Sequence, residues 1–283
     1  MSETNNPLHK FYRQPKIYIR FQSKGQFWKQ GSIDLPESGE IPVFAMTAKD
    51  ELMTKTPDAL LNGEATVELI QSCVPNIKDA WQTPSTDFDA ILIAIRIATY
   101  GENMDISSFT PVISEEKTFS LDLIRLLDTI QVESFETQLH TNELSFEVRP
   151  LTYKEMTDTT NETFEEQRIF NAVSNNDMPE NEKIALFRDS FKKLTALTVR
   201  TLEKSIVSIT VGEDVVVNPA MIADFINNSE KTVFELISKH IEVQKDKFKI
   251  KPMIVDATPE EIEKGVPETY ELPLIFDPSS FFV

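Results

Sequence analysis

Residues 42–101 read PVFAMTAKDELMTKTPDALLNGEATVELIQSCVPNIKDAWQTPSTDFDAILIAIRIATYG, and the fold reading turns on how this stretch is divided. Thr47 follows the apolar run Val43–Met46 and precedes Asp50 by three residues. A threonine there accepts from the free N–H groups of a first helical turn, and the acid at the third position reciprocates. Thr56-Pro57 opens a second short helix, since proline at a first-turn position loses no needed N–H, and Gly63 closes it. Val67, Ile70, Cys73 and Val74 recur at helical spacing until Pro75. The last helix is expected from Thr86-Asp87 to Gly101. Phe88, Ile91, Leu92, Ile95 and Ala98 fall on one face, while Ile93 and Ile97 widen the stripe. So broad a stripe implies burial on more than one side, the position of a central helix. The competing reading of ILIAIRI is a β-branched core strand, because short apolar runs fit both.

Working outward from this block, the N-terminal side reads as strand. Ile17, Ile19 and Phe21 alternate with Tyr18, Arg20 and Gln22, and Ser23-Lys24-Gly25 is expected to turn the chain into a second strand over residues 26–33. Leu35–Gly39 is a loop by its turn residues. On the C-terminal side, short strands are expected at 104–106 and 111–113. A helix follows from Ser120 or Asp122, with Leu123, Ile124, Leu127 and Ile130 in helical spacing. Phe135, Leu139, Leu144, Phe146 and Val148 are the inward positions of a hairpin turning at Thr141-Asn142. Thr152-x-x-Glu155 repeats the threonine–acid cap, a pattern common wherever helices begin.

A weakly periodic helix then runs through Phe164 and Phe170 to Val173. The longest helical pattern, 180–204, follows a polar break and carries Ile184, Phe187, Phe191, Leu194, Leu197 and Leu202 on a drifting stripe. IVSITV and VVV flank Gly212-Glu213-Asp214 as a hairpin. Asn218-Pro219 caps one helix and Ser229 begins another, with Val233, Leu236, Ile237, His240, Ile241 and Gln244 on one face. Phe248 and Ile250 alternate with lysines as strand, Thr258–Glu261 forms a capping box, and a strand over 270–276 leads to the apolar ending Phe281-Phe282-Val283. An ending so apolar is expected to be docked, on its own domain or on a partner.

The class is therefore α+β: helix-rich, with several short antiparallel strands and hairpins, in two subdomains. The division expected is a basic β arm over 1–46, a mainly helical domain over 47–130, and an α+β domain over 131–283. At 283 residues the chain buries enough surface to need no disulfide or metal staple. A net charge of −18 disfavours general nucleic-acid binding, which needs Lys and Arg to displace counterions. Seven glycines leave little for phosphate-binding loops. No apolar run reaches the length of a membrane span, and MSETNNPLHKFYRQP lacks the apolar core of a signal peptide, so a cytoplasmic chain is expected. The single cysteine, Cys73, fits a reducing compartment and reads as packing. His9, His140 and His240 lack ligand spacing, and no nucleophile elbow, P-loop or H-E-x-x-H pattern occurs. No catalytic residue, cofactor or metal is therefore assigned. Residues 1–30 are the exception to the acidity: seven basic or histidine residues, among them Arg13, Lys16 and Arg20, stand against Glu3. That excess is either an attachment strand for an acidic partner or an edge strand protected by charge.

The stretch Leu35–Gly101 resembles the baseplate hub and hub-assembly proteins of T-even-type contractile-tailed phages. The residues that carry the resemblance are LPESG, PVFAMTAKDE, PDALLNG, the helix around IQSCV and DFDAILIAIRIATYG, with the terminal FDPSSFF as a further match. Some such proteins carry cysteine pairs after the YG segment. Pro111–Lys117 here has none, so no metal is carried over. The resemblance implies a tail-morphogenesis protein with other phage tail or baseplate proteins, hub and tape measure among them, as partners. It would act in the host cytoplasm during assembly, either retained in the tail or departing. Arg13, Lys16, Arg20, Phe276, Phe281 and Phe282 are the candidate partner-binding residues. Two other classes stand beside this one: an acidic host-modulating protein that mimics DNA, and an enzyme without a local motif.

Overall fold

The computed structural model describes residues 7–55, 63–130, 134–141, 143–174, 179–274 and 281. Its centre is the expected helix, α3, Ser85–Tyr100, in which ten residues are buried, including Ile91, Leu92, Ile93, Ala94 and Ile95 in succession. Five consecutive buried positions cover the whole circumference of a helix, so the strand reading of ILIAIRI is set aside. Gly101, at φ 97°, closes α3 with its N–H on the Ile97 carbonyl.

Around α3 lie strands β1 (Pro15–Ile19) and β2 (Ile41–Phe44), and helices α1 (Ala48–Thr54), α2 (Glu64–Cys73) and α4 (Leu123–Ile130). Ile19, Phe21, Ile41 and Val43 share one buried cluster with Ile70, Cys73, Leu123 and Leu127, so the strands of 1–46 and the helices of 47–130 close a single core. The expected helix at 56–62 lies outside the described residues. Gly63 serves as the N-cap of α2 at φ 76°; a Cβ there would meet Thr157, Tyr153 and Trp81 within 3.2 Å.

Two sequence expectations in this half are corrected. Residues 26–33 form no strand: β1 pairs antiparallel with β2 instead, in the register Ile17↔Val43 and Ile19↔Ile41. The intervening chain is a series of turns, with the Lys24, Gln26, Trp28 and Ser32 amides each bonded to a carbonyl three residues back. The physical reason is Asp87, buried on α3, whose carboxylate accepts from the Ser23 amide (3.1 Å), the Ser23 hydroxyl and Trp28 Nε1 (2.8 Å). Drawing Ser23 and Trp28 to one point coils the chain between them. Likewise 111–113 is a turn. Strand β3 (Asn103–Phe109) is longer than expected, and its partner β4 (Glu116–Asp122) forms beyond the turn, where no strand is expected. Ser120 is therefore strand, and the helix starts only after Asp122. The two strands pair throughout, with Val112 at φ 70° in the tip between them.

A second core forms under the sheet β5 (Gln138–His140), β6 (Leu144–Val148), β7 (Ile206–Val211) and β8 (Asp214–Val216), antiparallel in that order. Phe146 and Val148 face inward with Leu202, Ile206, Ile222 and Ile237, and Phe135, Leu139 and Leu144 pack at its margin. Helices α7 (Pro219–Asn228) and α8 (Lys231–Phe248) cover it. On α8 the expected face is confirmed at Ile237, Ile241 and Gln244, but Leu236 is exposed. Phe248 ends α8 instead of starting a strand, because it is drawn into contact with Phe135 (6.2 Å between rings). A small third cluster joins β9 (Met253–Asp256) and β10 (Thr269–Leu272) to Ile106 and Phe119 of the β3–β4 hairpin; α9 (Pro259–Glu263) lies between the two strands in sequence.

The two main cores meet where α5 (Tyr153–Ser174) begins. Ser85 N bonds the Leu151 carbonyl and Tyr153 N the Thr83 carbonyl, while the Tyr153 ring stacks on Phe88 (4.4 Å) and Trp81 (5.6 Å). From this seam α5 and the antiparallel α6 (Glu180–Lys204) run outward as a helical hairpin. Helices of 22 and 25 residues extend roughly 33–38 Å.

The threonine–acid caps expected from sequence at 47, 152 and 258 all form. Asp50 accepts from Thr47 N at 2.7 Å, Glu155 from Thr152 N at 2.9 Å, and Glu261 from Thr258 N at 2.7 Å. Each capping acid also holds a cation from another element. Arg13 stands 3.6 Å from Asp50, Arg149 makes a two-pronged contact with Glu155 (2.7 and 2.9 Å), and Lys117 of β4 lies 2.5 Å from Glu261. Three helix starts are thereby fastened to three strands or strand ends.

Candidate interaction surfaces

The basic N-terminal residues divide into two kinds. Arg13 is directed inward: its guanidinium donates to the Ala45 carbonyl (2.7 Å), the Ser72 carbonyl (2.5 Å) and Ser72 Oγ (3.0 Å), beside Asp50. It clamps the end of β2 to the end of α2. Lys16 and Arg20 are exposed with Tyr18 on the outer side of β1, and Arg20 meets Glu40 at 2.9 Å. At the C-terminal end, Phe281 is buried in the first core, its carbonyl accepts from Arg96, and the Arg96 guanidinium lies over its ring at 5.4 Å. The apolar ending is thus docked, at Phe281, on the chain's own core. Phe276 and Phe282 lie outside the described residues.

The groups weighed for chemistry whose side chains are described are engaged internally; the His9 side chain lies outside the described residues. Cys73 is fully buried, and desolvation, with the nearby Asp50 charge, pushes its thiol up to about 12, which keeps it protonated. His240 Nε2 donates to the Glu136 carbonyl (3.0 Å), and His140 Nδ1 is 2.9 Å from Ser145 Oγ. Asp87 has its acid strength weakened by burial, against the pull of its donors Ser23 and Trp28. Between the two cores an open cleft of about 580 Å³ is bordered by Lys29, Gln26, Thr137 and Lys154, and by the paired Arg149 and Glu155. Among the described residues no three His, Cys, Asp or Glu side chains gather into a metal-holding group, and no helix is long and apolar enough to cross a membrane.

The apolar surface left open is concentrated elsewhere. Near the seam, α6 belongs to the second core through Val199 and Leu202. Farther out, Ile184, Phe187, Phe191 and Leu194 belong to none of the three cores. Phe170 of α5 packs on Phe187 (4.6 Å) and Phe191 (6.2 Å), yet Phe191 remains 61% exposed and Ile184 51%. The hairpin is registered by polar pairs, Lys193–Glu166 (2.9 Å) and Arg200–Glu162 (2.6 Å), whose hydrogen bonding lowers the Glu166 pKa and raises that of Lys193. An open groove of about 750 Å³ runs along α6 toward Asn227 of α7. A second apolar edge is β8, paired on one side only, with Val215 of the strand and Val217 just past it exposed. Periodicity could place Ile184, Phe187 and Phe191 on one stripe. It carried no sign that the stripe faces outward, because an amphipathic helix has the same spacing whether its partner is its own core or another chain.

Compared with known families, residues 32–258 match the family described as T4 bacteriophage base plate protein. No curated protein and no solved structure matches the chain.

Proposed function

The chain belongs to the T4 bacteriophage base plate protein family, and on that premise we propose that it is a baseplate hub subunit or an assembly factor for hub and tape-measure components. It works by protein–protein binding, carries out no reaction of its own, and meets its partners in the host cytoplasm while tails are built. The observation that carries this reading is the outer half of the α5–α6 hairpin. There a contiguous set of aromatic and aliphatic side chains stands outside every core of its own fold. Monomeric proteins keep such patches small, and larger ones mark sites of association. Lys16 on β1, Arg20 just past its end and the open edge of β8 offer further contact surface.

The test is affinity purification of the chain from infected cells, with intact particles analysed by quantitative mass spectrometry alongside. Recovery with hub or tape-measure proteins is expected. Stoichiometric presence in particles identifies a retained subunit, and presence in assembly intermediates alone identifies a departing factor. Recovery with neither would overturn the proposal.

A further inference from the structure

We propose that the groove along the outer half of α6 is a seat for an acidic amphipathic helix of another tail protein. This rests on the function proposed above and names the chemistry of the partner. Ile184, Phe187 and Phe191 form the floor at the three- and four-residue spacing by which one helix reads another. Arg188 and Lys192, one turn apart, stand on its border. Neither has an ion-pair partner among the described residues, although the chain carries 46 acids and the neighbouring Lys193 and Arg200 are both paired. An apolar floor with two unneutralised cations, on a body of net charge −18, selects a ligand with an apolar seam flanked by Asp or Glu.

The same charges argue against a second copy in this seat. Two α6 helices crossing antiparallel through Phe191 would set Arg188 and Lys192 of one against those of the other, and like charges so placed oppose pairing. Nucleic acid fits poorly, since two cations on an acidic surface release few counterions.

Two designed helical peptides with the same leucine seam, one flanked by Glu and one by Lys, serve as probes for the full chain by fluorescence anisotropy. The Glu-flanked peptide is expected to bind more tightly by about tenfold or more and to weaken as salt rises. R188E/K192E should invert that preference, and Phe191→Ala should weaken both peptides by about tenfold. Circular dichroism of each variant checks that it is folded. In infected cells, a photo-crosslinking phenylalanine analogue at position 191 should capture a peptide with apolar residues at helical spacing and flanking acids. The assignment is overturned if wild type binds neither peptide below about 1 mM or both equally, if the crosslink joins two copies of this chain, or if it lands on a basic segment. These outcomes separate from the function itself: tail proteins recovered equally with wild type and R188E/K192E would sink the groove and leave the association standing.

Discussion

α3 and α6 are both long helices with apolar side chains at helical spacing, yet they meet opposite surroundings. In α3 the apolar residues run round the whole helix, and strands, helices and the Phe281 ring close over those from Ala90 to Ala98. In α6 the stripe reaches a core only at its seam end, and the outer turns keep Phe191 and Ile184 in water. The polar groups differ too. α3 buries Asp87 with three donors aimed at it, whereas α6 sets Lys193 and Arg200 against acids of α5 at the surface. The lesson is that a stripe's width, more than its hydrophobicity, reports whether a helix is enclosed.

If α3 is the enclosed element, its substitutions should dominate stability. Ile95→Ala, at a fully buried site, is expected to lower the unfolding free energy by about 4 kcal/mol in urea titration. Loss of less than a quarter of that would mean α3 has room to relax. Asp87→Ala leaves the Ser23 amide and hydroxyl and the Trp28 indole without their acceptor, for a loss of about 3 kcal/mol, and Asp87→Asn should recover part of it.

Asp89, half-buried on the same helix, sharpens the contrast in the other direction. Desolvation raises its pKa from 3.8 to about 6. The folded state therefore holds this proton more tightly than the unfolded state. The associated stability is fully present below pH 3.8 and is lost as pH rises through 6. Asp89→Asn should flatten the melting-temperature profile across that window and stabilise the protein at pH 7.5 by about 1–2 kcal/mol. An unchanged profile would show the carboxyl to be solvated. Arg13→Ala removes the clamp between the ends of β2 and α2, with an expected loss of about 1 kcal/mol in the same titration. At the small end, Phe191→Ala and Ile184→Ser on the arm should shift stability by no more than about 0.5 kcal/mol. A loss as large as that at Ile95 would mean the arm is enclosed after all, and the comparison of the two helices would collapse.

Much of the fold was legible from residues. Thr47, Thr152 and Thr258, each three before an acid, marked three helix starts because a cap is made by neighbours in sequence. Glycine 212 between two valine-rich runs gave the β7–β8 hairpin for the same local reason. The errors fell where a distant group decided. Gln26–Ile33 looked like a strand until Asp87 drew Ser23 and Trp28 together, and Phe248 looked like strand until Phe135 held it on α8. The candidate surface was half legible: the α6 stripe was readable, its outward direction was not.

By itself the sequence determined the class, the central helix, the three caps and the acidic, sparsely glycine-containing body, because each depends on spacing or composition within a few turns of chain. Only the tertiary structure decided which cation each capping acid holds, that Arg13 turns inward while Lys16 stays out, that Phe281 returns to the first core, and that the far end of α6 is left uncovered. Those outcomes depend on which surfaces meet after the chain has closed, and contacts between residues tens to hundreds apart leave no mark on local periodicity.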